Sequence, residues 1–496
     1  MLPRVDIERY DTTIVGEKSQ NTLSYFCGYF NRGIPDQKVI VHNELDLKIN
    51  FGKPDQKNYD AWMQLYNYLQ LNNSLIVERK IGENSLNSGF SAPNKYKGIR
   101  IDNPEQFSLF KNENFINVIA RNPGEWGDSI RVAFFGPEEK EKNKLIYAGL
   151  TARQISKENS FTLAVFLNES LLEKYEIINF DFDYVNESSE YIFINYDKDL
   201  YDRYDGNFFY IDGNLMFADG NEKNKMTPVF FGSNIIKLSG GYSEEPKNSQ
   251  ILEGYNDVCS SEEYQLTFLI GNPVYPGAAI LAADKYQNAI AIVDDGLGKS
   301  GRSDWACCYT GKQKVKNIFN GKTVQIGLAG DIAGIRANII ENFDMSRSHC
   351  KPEYGLKNIL DYSLKGLTQA QQQEFYDKNE NILILDNSYY SFYEQMMSGK
   401  KLTNKIIELN LKRECESICR WYLFEFNDEQ SRAGLRSQLL NTLGIYKGKN
   451  RIEDFRVICD SHNQDKSRPN EIIADIYYQP KYLVEGVKLR FVASNL

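Results

Sequence analysis

Two Gly-Lys-hydroxyl strings, three histidines and eight scattered cysteines are the residues of this chain that could do chemistry. Gly298-Lys299-Ser300 follows an apolar run ending at Val293, and Gly321-Lys322-Thr323 precedes another. A phosphate-cradling loop needs a further Gly five positions before its Gly-Lys, so that successive backbone amides turn toward the anion. Val293 and Lys316 stand there instead, and the second string lies on the wrong side of its strand, so nucleotide binding is not expected. Nucleophilic hydrolysis needs a His beside an activated hydroxyl. His42, His349 and His462 are the histidines, and none sits in a Gly-x-Ser-x-Gly or comparable setting. Cys415, Cys419, Cys459 and His462 are residue types that bind zinc. The first two lie one helical turn apart on a face that is also an apolar stripe, where buried thiols account for both. Cys307 and Cys308 alternate faces of a strand and do not share a metal comfortably. No catalytic residue, metal or cofactor is expected.

The elements that would position these residues are read from periodicity. Residues 264–270 and 289–293 are near-continuous apolar runs around a helix over 277–286, a strand-helix-strand unit of a parallel sheet. Residues 58–69 start a capped helix with Trp62, Leu65, Tyr66 and Leu69 on one face, and 75–79 form a strand. Residues 82–98, rich in Gly, Ser, Asn and Pro, read as a loop or a trimmed insertion. In the run 120–132, Asn122-Pro123-Gly124 sets a tight turn, Trp126 caps a core edge, and Gly127 provides a positive φ before the strand resumes. Residues 140–235 are β-rich. Thr368 is a plausible cap for a helix that follows it, a strand covers 381–385, and a long helix carries the stripe Ile407, Leu411, Cys415, Ile418, Cys419 and Tyr422. After the aromatic run from Trp421 to Phe426, Asn427 or Asp428 caps a helix with Leu435, Leu439, Leu440 and Leu443 on one face and Gly444 at its end. Strands over 454–460, 471–478 and 487–492 close the chain.

With 496 residues, 42% apolar and 25% charged, the chain holds several ordinary hydrophobic cores. A formal net charge of -9 and a pI near 5.3 argue against a nonspecific nucleic-acid coat. The N-terminus has no apolar h-region and nothing later approaches a membrane span, so cytoplasmic synthesis is expected, with the cysteines as buried thiols. Aromatic residues make up 13%, a fraction that suits both sheet cores and protein interfaces.

The strings WYLFEFNDEQSRAGLRSQL, IEDFRVICD and RPNEIIADIYYQPKYLVEGVKLRFVAS, in that order, resemble the C-terminal domain of tail sheath proteins from contractile-tailed bacteriophages. Phe51-Gly52-Lys53-Pro54 with Asn58-Tyr59, the run around Asn122, Pro123, Gly124, Trp126 and Gly127, Leu238-Ser239-Gly240-Gly241, and the Leu367-Thr368 helix resemble further sheath segments. Phe426, Asn427 and Asp428 carry the C-terminal match.

The resemblance implies an α/β and α+β multidomain fold. A central α/β domain, subtilisin-like but without a catalytic site, would be joined to a C-terminal α+β assembly domain with strand-donating termini. Residues 1–22 would be an N-terminal arm. A middle and outer region would take 23–345, with an α/β core from 23–80 and 236–345 and a β-rich part over 115–235. Residues 346–496 would be the inner assembly domain. Arg4, Val5, Asp6 and Ile7 at one end, and Val487, Leu489 and Phe491 at the other, would be the strands exchanged with neighbouring subunits. The implied role is structural: a homo-oligomeric helical sleeve of stacked rings around a tail tube, meeting baseplate and terminator proteins. It would be located in the virion tail and assembled in the host cytoplasm, without direct nucleic-acid contact or membrane insertion. A sheath from a phage-derived injection device is one alternative, and a cytoplasmic or virion hydrolase another.

Overall fold

The runs Leu266–Ile270 and Ile290–Asp294 are buried at every position, the pattern of parallel strands covered on both faces. The computed structural model describes residues 22–92, 95–110, 116–135, 160–178, 182–196, 208–211, 214–218, 226–228, 235–294 and 302–484. Two compact units emerge: Met1–Phe26, Met63–Leu75 and Tyr255–Leu496 make the first, and Cys27–Trp62 with Ile76–Gly254 the second.

In the first unit the strand that opens at Leu23 pairs through Leu23, Ser24 and Tyr25 with Leu266–Ile270. Ile290–Asp294, Ala306–Tyr309 and Glu380–Asn381 then continue the sheet in parallel. The helix Pro276–Tyr286 joins the first two apolar runs. Its opening proline forfeits no helical hydrogen bond, and Gln287, at φ 52°, closes it with its N–H on the Ala283 carbonyl. Ala329–Asn342 is buried at 11 of its 14 positions. Gly330 and Gly334 let it come close to residues 64–68: a Cβ on Gly330 would collide with the Gln64 carbonyl, and one on Gly334 would stand 3.1 Å from the Tyr68 Cα.

The strand expected over 381–385 is two strands, Glu380–Asn381 in the parallel sheet and Leu383–Asp386 in an antiparallel hairpin. Asn381 causes the break. Its amide donates to the carbonyls of Cys308 (2.9 Å) and Gln395 (2.8 Å), and its oxygen accepts from the Gln395 N–H (2.7 Å), so a side chain replaces the ladder there. Thr368 and Gln371 form a capping box on the helix Gln369–Asp377.

The chain's last quarter holds the helices Leu402–Arg420 and Glu429–Gly448 and the antiparallel pair Ile452–Ile458 with Asp475–Pro480. The second helix runs through Gly444 to Gly448 instead of stopping at the first glycine. Gly444 has open space around it, so only its modest propensity cost opposes continuation. Leu435, Leu439 and Leu443 are buried, whereas Leu440, expected beside them, is 36% exposed because it lies a quarter-turn off their row. In the preceding helix the buried stripe ends at Cys415, and Cys419 is exposed. The strand expected from 471 begins at Asp475. Asn427 takes the Glu471 carbonyl (2.9 Å) and Gln464 brackets Ile473 through both its N–H (2.9 Å) and its carbonyl (2.8 Å), which keeps these groups out of a ladder.

In the second unit Gly89–Ala92, Ile116–Ala120 and Ile192–Tyr196 form one antiparallel sheet. A second runs Ile235–Lys237, Ile130–Phe135, Ser160–Leu167 and Ser170–Ile178. The segment 82–98, expected as a loop or a trimmed insertion, thus contributes the strand Gly89–Ala92. Ile116, Val118, Ile130, Val132, Leu163, Val165, Ile192 and Ile194 pack between these sheets as one core. A small antiparallel sheet of Phe208–Ile211, Asn214–Ala218 and Met226–Pro228 completes the β-rich part.

Candidate functional site

Arg79 ends a fully buried strand, and its guanidinium is itself wholly buried. The chain folds a turn around that charge. The guanidinium donates to the carbonyls of Phe30 (2.7 Å), Gly33 (2.6 Å), Asn31 (3.2 Å) and Pro123 (2.8 Å) and to the Ser243 hydroxyl (3.3 Å). Burial pulls its pKa down to about 10, which still leaves it charged at neutral pH.

Gly124 follows at φ 135°, ψ 159°, a conformation open to glycine alone, and a Cβ there would lie 2.9 Å from the Asn31 carbonyl. The positive φ expected at Gly127 therefore belongs to Gly124. Gly127 is small for another reason: a Cβ would stand 2.6 Å from the Ser88 hydroxyl and 2.7 Å from the Ala120 side chain. Asn122 is buried, and its carbonyl accepts from the Trp126 indole N–H at 3.2 Å. Trp126 is half-buried, edge-on to Tyr191, with the Arg32 guanidinium 5.0 Å from its ring and 4.3 Å from that of Tyr191. Asp128 accepts from Ser88 (2.7 Å) and the Gly241 N–H (3.0 Å). These hydrogen bonds all lead back into the turn's own unit, while Glu125 points to solvent.

The 421–428 segment is built the other way. Trp421 is 79% exposed, Leu423 64%, Phe424 fully and Phe426 84%, and Phe424 sits at φ 71°, unusual for a bulky residue. Behind this apolar run the scaffold is fixed. Asp428 caps the helix Glu429–Gly448 by accepting from the Ser431 N–H at 2.8 Å, and those hydrogen bonds lower its pKa. Asn427 accepts from Arg432 (2.6 Å) and donates to the carbonyls of Pro469 and Glu471, both at 2.9 Å. Arg4, Val5, Asp6, Ile7, Val487, Leu489 and Phe491, expected as exchanged strands, lie outside the described residues.

Two buried polar clusters in the first unit escape sequence reading, because their members are distant in the chain. In one, Asp331 accepts from Asn67 (3.1 Å) and Gln313 (2.6 Å) while Asp294 accepts from Gln64 (2.8 Å). Burial pushes the Asp331 carboxyl up to about 7, with neighbouring Asp294 adding to the rise against the pull of the two amides. In the other, His349 Nε2 meets the Tyr309 hydroxyl at 2.7 Å, and Glu394 accepts from Ser348 (2.8 Å) and Thr403 (3.0 Å). Burial lowers the His349 pKa and on its own would raise that of Glu394. The imidazole and the Arg336 guanidinium outweigh it and hold the Glu394 carboxyl at about 2.

The tempting strings resolve simply. Gly321-Lys322-Thr323 lies at the tip of the hairpin between Gln313–Lys316 and Thr323–Ile326, where Gly321 donates to Asn317 and Asn317 to Lys322. Gly298-Lys299-Ser300 lies outside the described residues. Cys415 and Cys459 are buried, Cys419 and His462 exposed, and they do not form a metal-ligand group. Ser348 bonds to Glu394 and not to His349, whose Nε2 meets the Tyr309 hydroxyl instead.

No family model matches the chain. Over 186 residues it is 33% identical to the tail sheath protein of Vibrio phage KVP40, a match covering 36% of this chain and 28% of the relative's length. In three dimensions it aligns with the sheath tail protein of Listeria innocua at a TM-score of 0.59 and 11% identity, over 93% of this chain and 92% of that one. The chain has the sheath-protein fold. That fold also aligns with the contracted helical sheath of the anti-feeding prophage at a TM-score of 0.54 and 12% identity, covering 99% of each chain. The resemblance to tail sheath proteins read from the C-terminal strings is borne out, and the mixed α/β architecture with several sheets is that of the sheath fold.

Proposed function

We propose that this chain is a structural subunit of a contractile tail sheath, polymerising helically around a tail tube and contracting to drive that tube through a host envelope. The observation that carries the reading is the sheath fold over nearly the whole chain, joined to sequence similarity with a phage tail sheath protein. The exposed aromatic run from Trp421 to Phe426 supports it, since apolar side chains in such a row mark a contact surface.

The free energy of contraction would reside in contacts between subunits. Rigid units would repack from an extended, kinetically trapped lattice into a shorter one, and no nucleotide would be consumed. The subunit would thus act as a mechanical part and not as an enzyme. In this reading residues 1–22 form an arm, 23–345 the middle and outer region and 346–496 the inner assembly domain, with a central domain of subtilisin-like topology lacking a catalytic site. The helix Glu429–Gly448 faces the tube. Baseplate and terminator proteins meet the ends of the sleeve, the virion tail is its final location, and assembly takes place in the host cytoplasm.

Strand exchange completes the lattice. Among the described residues, the sheet of Ile452–Ile458 and Asp475–Pro480 has two strands, and an isolated pair is marginally stable in water. Arg4 to Ile7 of one neighbour and Val487, Leu489 and Phe491 of another would extend it by edge addition, a heterologous contact that propagates as a helix. Removing everything after Gly486 is expected to leave a folded, soluble monomer; normal tube formation by that truncation would contradict strand exchange. A phage-derived injection device shares this fold, and the genes flanking this one distinguish the two. A hydrolase reading predicts turnover of peptide or nucleotide by the monomer.

A further inference from the structure

We propose that His349, Cys350 and Glu394 form a structural site for a zinc-class divalent cation. Their ligand atoms all lie within 4.8 Å of one another, and they are the one such group of three among the described residues. Nitrogen, thiolate and carboxylate together make a donor set of borderline softness, suited to Zn²⁺ and poorly suited to Mg²⁺ or Ca²⁺.

Two independent features point to a ligand between them. His349 is 1% exposed and Glu394 3%, yet His349 Nδ1 and Glu394 Oε1 are buried with no hydrogen-bond partner among the described residues. An unpaired buried polar atom is costly, so two of them on neighbouring side chains point to a further group. Second, Nδ1 lies 3.3 Å from Glu394 Oε2 without making an aligned hydrogen bond. Two ligands bound at about 2.0–2.1 Å with a tetrahedral angle stand about 3.3 Å apart. The spacing, which is also that of a His–carboxylate ion pair, allows both atoms to be ligands of one cation.

The surroundings complete the site. The Tyr309 hydroxyl sits 2.7 Å from Nε2; with a cation on Nδ1, Nε2 would carry the ring proton and donate it to this hydroxyl. Ser348 and Thr403 hold Oε2 from behind. Such outer partners orient ligands in metal sites. On binding, the Cys350 thiol loses its proton to solvent and its sulfur bonds the cation; thiolate and carboxylate together balance the two positive charges. The buried Arg336 guanidinium nearby donates to the Arg347 and Met345 carbonyls, its Nε has no partner among the described residues, and its charge bears on the same three residues. The fourth ligand position would be taken by solvent.

The test uses the full chain, stripped with chelator and titrated with Co²⁺ as a spectroscopic probe, then with Zn²⁺. Expected are a thiolate-to-cobalt charge-transfer band saturating at a single cation per chain, displacement of cobalt by Zn²⁺, and a melting temperature raised by Zn²⁺ but not by Mg²⁺. Cys350→Ser should abolish the band. Tyr309→Phe should weaken binding about 10–100-fold. Cys307→Ser, altering a buried thiol outside the group, should keep the band. Absence of a band in the unmodified chain, its persistence in Cys350→Ser, or a melting temperature indifferent to Zn²⁺ would overturn the proposal. The melting measurement needs no variant, so misfolding of a mutant does not protect the idea.

Discussion

The turn at 122–128 and the run at 421–428 begin from similar material, aromatic residues beside turn-formers and an acid, and end in opposite states. The first is consumed by its own unit. Its carbonyls are gathered by a buried arginine, its glycines are in van der Waals contact with backbone and side chains, and its tryptophan is stacked beneath Arg32. The second has its polar residues satisfied and its apolar residues in water: Asn427 and Asp428 are tied down while Trp421, Phe424 and Phe426 are exposed. One motif is spent on folding. The other holds a shape and leaves an apolar surface exposed, which is the division of labour the proposed lattice subunit would require.

Breaking the closed motif should cost most. Arg79→Met strips donors from five acceptors at once and should lower folding stability by about 3–5 kcal/mol, read from chemical denaturation. Gly124→Ala meets both an L-residue-averse backbone and the Asn31 carbonyl, and should cost about 2–3 kcal/mol by the same measurement. Equal stability for either variant would mean the turn is not the anchor described.

The open motif sharpens the comparison by contrast. Trp421→Ser combined with Phe424→Ser should change monomer stability by no more than about 0.5 kcal/mol, while abolishing tube formation under the electron microscope. A strongly destabilised double variant would show that these side chains serve their own subunit. The smallest effect belongs to the cap. The Asp428 carboxyl is lowered from 3.8 by hydrogen bonds made only in the folded state. Its contribution is therefore present above the unfolded value and lost as pH falls through the folded one. Asp428→Asn, an equally good cap, should flatten that acid-side loss in a pH series of melting temperatures and leave neutral-pH stability nearly unchanged.

The two motifs also differ in how far their sequence speaks for them. Asp428 as a cap and Thr368 with Gln371 as a capping box are local, three residues from cap to partner, and periodicity with side-chain type suffices to find them. The buried runs Leu266–Ile270 and Ile290–Asp294 are equally plain, because a strand covered on both faces has no polar alternation to obscure it. Gly124 and Gly127 illustrate the limit. Both glycines are required, but which one carries the positive φ depends on how Arg79 and the Asn31 carbonyl arrive from elsewhere in the chain. Asn381 breaks a strand for the same reason, through partners at Cys308 and Gln395 that no window of sequence contains. The His349, Cys350 and Glu394 group is more distant still: His349 and Cys350 are adjacent, and nothing in either flank announces a carboxylate 44 residues further on.

The exposed aromatic run gives the account its most direct test, negative-stain electron microscopy of the purified full-length chain beside the Trp421, Phe424 double variant. The account predicts striated helical tubes from the unmodified chain and dispersed monomers from the variant. A chain that stays monomeric at every concentration, or a variant that forms the same tubes, would contradict it.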